Sequence, residues 1–293
     1  MRVLVLGAGG QLGRDLVPEL RTAGHDVVPL TRGELDIAEE GAVAGTLKRS
    51  DFDRVVNCAA YTKVDQAESE PELAARVNAE GPRLAAAACA RAGVPLCQIS
   101  TDFVFGAEPP PGGRGWRESD SPSPRGVYAT TKREGEIACL EAGGPLYLVR
   151  TSWLYGNSGP NFPLAILRAG LRDAPLQVVS DQVGSPTCTK DLGRARARLL
   201  ELPPCGVIHI SGGGGATWHG FAQEVLRRAG LRREVLAVIT AQWEAPAPRP
   251  RFSVLANERW AELGERPLRP WEEALAEYLR TDRAVAALLS ARG

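Results

Sequence analysis

Val3-Leu4-Val5-Leu6-Gly7-Ala8-Gly9-Gly10-Gln11-Leu12-Gly13 is the stretch that decides the fold. Four apolar residues in a row suit a parallel strand buried on both faces. They break into a glycine turn, and residues 14–23 then read as a helix. Gly7, Gly10 and Gly13 stand at G-x-x-G-x-x-G spacing. The first two permit a tight turn and close backbone approach to a pyrophosphate at the helix N-terminus, and the third lets helix and strand pack closely. A plain turn is the competing reading; the position between the first strand and the first helix favours a dinucleotide cradle.

Working outward, residues 25–30 make a second strand that ends at Thr31-Arg32. An acid here would bond the ribose 2′-hydroxyl of NAD, whereas an arginine accommodates a 2′-phosphate. Arg32 therefore tilts the cofactor toward NADP, although a solvated loop arginine reads equally well. Asp36-Ile37 follows, where a loop can border an adenine. Residues 54–57 are a third strand, continued by Cys58-Ala59-Ala60-Tyr61-Thr62. Small residues at a strand's carboxyl end let a flat ring lie against the backbone, and tight packing would ask for the same residues. An alanine-rich helix over 71–91 carries Asn78. The fourth strand, 95–100, runs into Ser100-Thr101-Asp102-Phe103-Val104-Phe105, hydroxyls and a carboxylate placed to meet a substrate or to cap a turn. Residues 107–124, rich in Pro, Gly and Ser, read as a loop or lid, and 145–150 as a fifth strand. Strands alternating with helices imply a mainly parallel sheet with right-handed crossovers. The fold class is α/β, a Rossmann-type doubly wound parallel sheet over 1–150.

Tyr128 and Lys132 begin the helix after the lid. Residues i and i+4 share a helix face, so phenol and ammonium can enter one site. A neighbouring ammonium lowers a phenol's pKa from about 10 and makes it a usable acid or base.

The formal net charge is zero, which argues against nonspecific nucleic-acid binding or a polybasic membrane contact. No apolar run approaches the ~20 residues needed to span a bilayer. The N-terminus enters a strand directly and no signal-peptide pattern follows. The six cysteines show no C-x-x-C pairing and read as reduced thiols of a cytoplasmic protein. With three histidines and no recognisable ligand cluster, no metal site is expected.

After Arg150 the pattern changes. A helix over 161–168, short strands at 176–179 and 206–210, a helix capped by Thr217, a strand at 236–239 and an amphipathic helix over 271–289 follow. The glycines 212–215 lack the Gly-Lys-Ser/Thr ending of a P-loop and read as a connector. Residues 151–293 form a smaller, interleaved substrate-binding part, with about 186–215 returning to the first domain. Arg249, in a proline-rich segment, can meet a diphosphate bidentately or stand on the surface.

The glycine turn, the hydroxyls after strand four and Tyr-x-x-x-Lys together resemble the extended short-chain dehydrogenase/reductase superfamily. Four further segments narrow the resemblance: Val56-Asn57-Cys58-Ala59-Ala60-Tyr61-Thr62-Lys63-Val64-Asp65-Gln66-Ala67-Glu68, Arg150-Thr151-Ser152-Trp153-Leu154-Tyr155-Gly156, Asp181-Gln182-Val183-Gly184-Ser185-Pro186-Thr187, and Arg249-Pro250 with Ser253 and Leu255. Together with 100–105 they are similar to the dTDP-4-dehydrorhamnose reductase family, over residues 1 to about 280.

The resemblance implies NADPH- or NADH-dependent reduction of the C4 ketone of dTDP-4-dehydro-β-L-rhamnose to dTDP-β-L-rhamnose, a step in making cell-surface polysaccharide. It implies Tyr128 as proton donor, Lys132 bonding the nicotinamide ribose, and Thr101 orienting the carbonyl oxygen. Asp102 and Trp153 would border the sugar. Gly10, Gln11, Leu12, Asp36, Ile37, Ala60, Tyr61 and Thr62 would border the cofactor, with Asn78 behind the lysine. Some relatives are magnesium-dependent dimers, so magnesium and a monomer or homodimer follow from resemblance alone. Two other readings stay open: an epimerase or dehydratase on another nucleotide sugar, and a regulatory subunit resembling the β chain of methionine adenosyltransferase. Phe103 directly after Asp102 speaks against the acid pair of a dehydratase.

Overall fold

The computed structural model describes residues 1–106, 108–172 and 174–290. Ala107, the first residue of the expected lid, and residues 291–293, the end of the expected C-terminal part, lie outside them. Its centre is a six-stranded parallel sheet in the order β10-β5-β4-β3-β1-β2. The strands are β1 (Arg2–Leu6), β2 (Asp26–Leu30), β3 (Arg54–Asn57), β4 (Leu96–Thr101), β5 (Leu146–Thr151) and β10 (Gly206–His209). The direction of winding reverses between β1 and β3, and a crevice at the carboxyl ends of the strands opens where such a sheet reverses.

Strand alternation explains the layers. Val3, Val5, Val56, Cys97, Ile99, Tyr147 and Val149 face one side, where the helices Gln11–Thr22 and Thr189–Leu199 pack. Leu4, Leu6, Val55, Leu96 and Leu148 face the other, under Gly81–Ala92 and its neighbours. Both faces are dry, which is why the strands read as continuous apolar runs rather than alternating ones.

The remaining strands are short: β6 (Leu154–Tyr155), β7 (Leu176–Val179), β8 (Val183–Gly184), β9 (Thr187–Cys188), β11 (Ala216–Thr217) and β12 (Val235–Val238). They pair β6 with β9, β7 with β12, and β8 with β11. Beside them a separate apolar cluster gathers Leu164, Leu167, Phe221, Val225, Trp271, Leu275 and Tyr278.

Two helices depart from the sequence reading. The helix expected over 71–91 is Pro71–Ala75, a π turn at Arg76–Glu80, and Gly81–Ala92. Pro82 has no N–H to give the carbonyl of Asn78, and its ring crowds that carbonyl, so the turn widens. The helix expected over 271–289 is divided into Trp271–Thr281 and Arg283–Ser290. Asp282 sits between them in extended conformation (φ −76°, ψ 128°). Its buried carboxylate accepts from the Val285 N–H at 2.8 Å and so caps the second helix. The expected lid is pinned rather than free. Trp116 stacks on Phe105 at 4.7 Å, accepts from the Ala256 N–H at 2.8 Å and donates to the Val254 carbonyl at 2.7 Å.

Candidate functional site

Gly7 has φ +70°, and a Cβ there would stand 2.5 Å from the Ala59 nitrogen; one on Gly13 would stand 2.6 Å from Ala8 Cα. These two glycines are required by packing. Gly10 is not: its nearest neighbour would be the Gly7 carbonyl at 3.4 Å. Gly10 is the N-cap of the helix Gln11–Thr22, yet no side chain caps that helix, and Gly9 and Gly10 are exposed. The first-turn N–H groups of Gln11, Leu12 and Gly13 are thus left for an anion, so the cradle fits a dinucleotide pyrophosphate.

At the end of β2 the Arg32 side chain is 72% exposed and only loosely paired with Asp36, at 3.8 Å. It is available to a 2′-phosphate. Asp36 accepts from the Ala38 N–H at 3.0 Å. Ile37 turns into the core beneath Gly81, leaving only its backbone to border a base.

Past β3, Ala59 lies against Gly7, and Ala59, Ala60 and Tyr61 are half-buried while Thr62 is exposed. Asn78, 1% exposed, holds this segment: its Oδ1 accepts from the Tyr61 N–H at 2.9 Å and its Nδ2 donates to the Tyr61 carbonyl at 3.1 Å. The same Nδ2 reaches the Thr131 hydroxyl at 3.3 Å, one residue before Lys132. Asn78 therefore sits behind the Tyr-x-x-x-Lys helix, Val127–Glu141. The Tyr61 hydroxyl donates to Glu70 at 2.6 Å.

On that helix Lys132 is buried and its ammonium donates to the Ile99 carbonyl at 2.7 Å. Desolvation lowers its pKa to about 8, opposed by the Glu136 carboxylate. Tyr128 lies edge-on to Phe103, ring centroids 5.4 Å apart. Burial and the Asp102 carboxyl push its phenol up to about 12, while the Thr101 hydroxyl pulls it down. The expected lowering by Lys132 is not what this packing gives: the ammonium is committed to a strand carbonyl, and burial outweighs the remaining attraction.

Thr101 ends β4, opposite Thr151 at the end of β5. Its hydroxyl accepts from the Phe103 N–H at 3.2 Å and donates to Asp102 Oδ1 at 3.1 Å. Asp102 is 2% exposed and its Oδ2 has no hydrogen-bond partner. Burial raises its carboxyl to about 7, with the Ser253 and Thr101 hydroxyls pulling the other way. Thr151 Oγ1 and Ser185 Oγ are likewise buried and unpartnered. Asp102 Oδ2 and Thr151 Oγ1, on residues at or just past the paired ends of β4 and β5, are free to meet a polar ligand.

Trp153 follows two residues after β5 in left-handed backbone, φ 46°. Arg249 is not free as expected: it holds Asp65 bidentately at 2.9 and 2.7 Å. With Phe103, Arg125 and Arg251 it lines a cavity of about 70 Å³. Sequence reasoning passed over Ser253 as a neighbour of Asp102, although the Arg-Pro-x-x-Ser-x-Leu motif contains it. Trp218, stacked on Trp153, carried no local signal at all. Among the described residues no three His, Cys, Asp or Glu side chains gather as a metal centre, and no helix is long and apolar enough to cross a membrane.

The sequence profile of the RmlD substrate binding domain matches residues 1–284. The chain belongs to that family. It is 45% identical over 283 residues to a dTDP-4-dehydrorhamnose reductase of Streptomyces griseus, covering 94% of this chain and 92% of the relative. A dTDP-4-keto-6-deoxy-D-glucose reductase of Streptomyces niveus is 37% identical over 278 residues, with 94% and 96% covered. The crystal structure of dTDP-4-dehydrorhamnose reductase from Bacillus anthracis in complex with NADP superposes with a TM-score of 0.90 at 36% identity, covering 95% of this chain and 98% of that one. The RmlD family thus accounts for the doubly wound sheet and for the C-terminal elements together.

Proposed function

We propose that this chain is a dTDP-4-dehydrorhamnose reductase, reducing the C4 ketone of dTDP-4-dehydro-β-L-rhamnose to the alcohol in dTDP-rhamnose biosynthesis, with NADPH or NADH as reductant. The observation that carries this reading is the meeting of Tyr128, Thr101 and Asp102 at the carboxyl end of β4, across the sheet's reversal from the glycine cradle. Residues 1–150 with 186–215 would hold the cofactor and the rest of 151–293 the sugar, in a cytoplasmic enzyme working as monomer or homodimer.

When bound, the reduced nicotinamide supplies the hydride. Gln11, Leu12 and Gly13 would hold its pyrophosphate, and Ala59, Ala60, Tyr61 and Thr62 its ring and ribose, with Lys132 below. Tyr128 is the proton donor. A phenol held near 12 is fully protonated at neutral pH, yet far more acidic than the sugar alcohol that forms, so proton transfer to the C4 alkoxide runs downhill. Thr101 orients that oxygen beside the phenol. Asp102, near its titration midpoint at neutral pH, can offer a donor or an acceptor to a sugar hydroxyl. Arg249 would reach the diphosphate only after sharing its guanidinium with Asp65. NADPH consumption on addition of dTDP-4-dehydrorhamnose tests the reading; no turnover with that sugar, in the presence of either cofactor, would overturn it.

A further inference from the structure

Trp153 has a backbone that a bulky L-residue rarely adopts, φ 46°, and something must hold it there. The register pairing Thr101 with Thr151 places it directly beyond the Thr101–Asp102 end of the sheet. Its main chain is fixed by the Thr187 N–H, which donates to the Trp153 carbonyl at 3.2 Å, and by Ser152, whose hydroxyl donates to the Ser185 carbonyl at 2.7 Å. Its indole is fixed by two further neighbours. A Cβ on Gly184 would collide with Cε2 and Nε1 and stand 2.7 Å from Cζ2, so only glycine lets the ring lie there. Trp218 stacks on it with centroids 3.5 Å apart and planes 5° from parallel, and Phe162 backs Trp218 at 4.6 Å.

One short ladder delivers both neighbours. β8 pairs with β11 through Ala216–Gly184 and Thr217–Val183. Trp218 is the next residue, at the start of a helix whose first turn is fixed by Thr217 accepting from the Gly220 N–H at 2.9 Å. The other side of the ladder faces the chemistry. The Ser253 N–H and hydroxyl donate to the Val183 carbonyl at 2.7 and 3.5 Å, close enough to Asp102 for the hydroxyl to draw its carboxyl down. Neither indole is fully buried, as a pair serving only the core would be.

We propose that Trp218 is a positioning residue for the sugar: by stacking on Trp153 it holds that indole in its strained backbone as a fixed wall beside Asp102. A 6-deoxyhexose has a methyl group and a C–H face that suit an indole surface, whereas the residues that would hold the nicotinamide lie at the ends of β1 and β3. The inference rests on the reading of Trp153 as a sugar-contacting residue. Without Trp218 the Trp153 ring relaxes, and the loss falls on the sugar rather than on the cofactor.

Steady-state kinetics of the full-length enzyme on Trp218→Ala, Trp218→Phe and Trp153→Ala, with circular dichroism of each, tests this. Trp218→Ala is expected to raise KM for the nucleotide sugar about tenfold with KM for NADPH unchanged, and Trp218→Phe to recover most of the loss. Stacked indoles couple excitonically, so the far-ultraviolet couplet should vanish in both alanine variants. Trp218→Leu keeps an apolar side chain should the alanine variant fail to fold. A raised sugar KM in Trp153→Ala beside an unchanged one in Trp218→Ala or Trp218→Leu would overturn this inference alone. An unchanged sugar KM in Trp153→Ala would remove the reading of Trp153 and the inference with it. Equal rises in both KM values in the Trp218 variants would mark general loosening and also overturn it.

Discussion

Two buried polar clusters touch β4 and β5, and they follow opposite rules. In the first, Arg150 gives Nε and Nη2 to the two oxygens of Glu136 at 2.9 and 2.8 Å, and Arg133 adds a bond to Glu136 at 2.8 Å. The Arg150 guanidinium also stands over the Phe105 ring at 5.1 Å. His209 beside it is driven down to about 3 by burial and by Arg150, and so stays neutral. In the second, one strand-end away, Asp102 Oδ2, Thr151 Oγ1 and Ser185 Oγ are buried with no partner. A closed cluster repays its desolvation internally; an open one keeps that debt for a ligand to settle. The contrast sets the Arg150–Glu136 pair apart from the strand-end atoms around Asp102.

The comparison can be broken in order of expected effect. Tyr128→Phe beside the open cluster should lower kcat about 10²–10⁴-fold, the range for a lost general acid, with urea-unfolding stability unchanged. Activity surviving that change would leave the open cluster without its chemistry. Glu136→Ala in the closed cluster should do the reverse, costing about 3–5 kcal/mol of stability in urea titration because Arg150 is left as an uncompensated buried charge. A loss below ~1 kcal/mol would mean that the cluster is not closed in the sense argued here.

Asp102 gives a pH test. Its folded pKa, about 7, is raised above the ordinary 3.8. A raised acid costs nothing below its unfolded pKa; the cost grows as pH climbs between the two values and is complete above the folded one. Stability should therefore fall between about pH 4 and 7, by up to ~4 kcal/mol, three units at about 1.4 each. Asp102→Asn should flatten that part of the profile and raise Tm most at pH 8. Parallel Tm profiles for the two proteins would refute the assignment.

The smallest effect is reserved for a second buried guanidinium. Arg196 is 1% exposed, none of its nitrogens bonds an oxygen, and it lies against the thiols of Cys58 and Cys97, which it draws down. It has the burial of Arg150 without the carboxylate. Arg196→Met should be neutral or stabilise by about 1–2 kcal/mol, since a buried charge without a partner is replaced by apolar volume. A clear fall in Tm would show that the thiols compensate the charge better than their weak acceptor chemistry suggests.

The sheet was legible because strands dry on both faces announce themselves as apolar runs separated by helical segments. The break at 76–80 was not read: Gly81-Pro82 carries it, but an alanine-rich surround masks the one missing N–H that matters. Asp282 reads as an ordinary helix-surface acid until its neighbours bury it. Residue types, spacing and resemblance singled out Tyr128, Lys132, Thr101 and Asp102, yet the sign of the phenol's shift depends on burial, which no spacing encodes. Arg249 looked free because Asp65, its partner, is 184 residues distant in the chain. Trp218 is a lone aromatic after a helix cap, and only the β8–β11 ladder gives it a neighbour worth having.

The π turn at Arg76–Glu80 has a mechanical consequence. Because it swings Asn78 inward to grip Tyr61 on one side and Thr131 on the other, the segment after β3 and the second turn of the helix that carries Tyr128 are tied together. Deleting a single residue there would restore an even screw and rotate the amide away by about 100°, one residue's share of a 3.6-residue turn. On the proposed mechanism, the segment that would hold the reductant and the helix that carries the proton donor would then lose the tie that Asn78 provides.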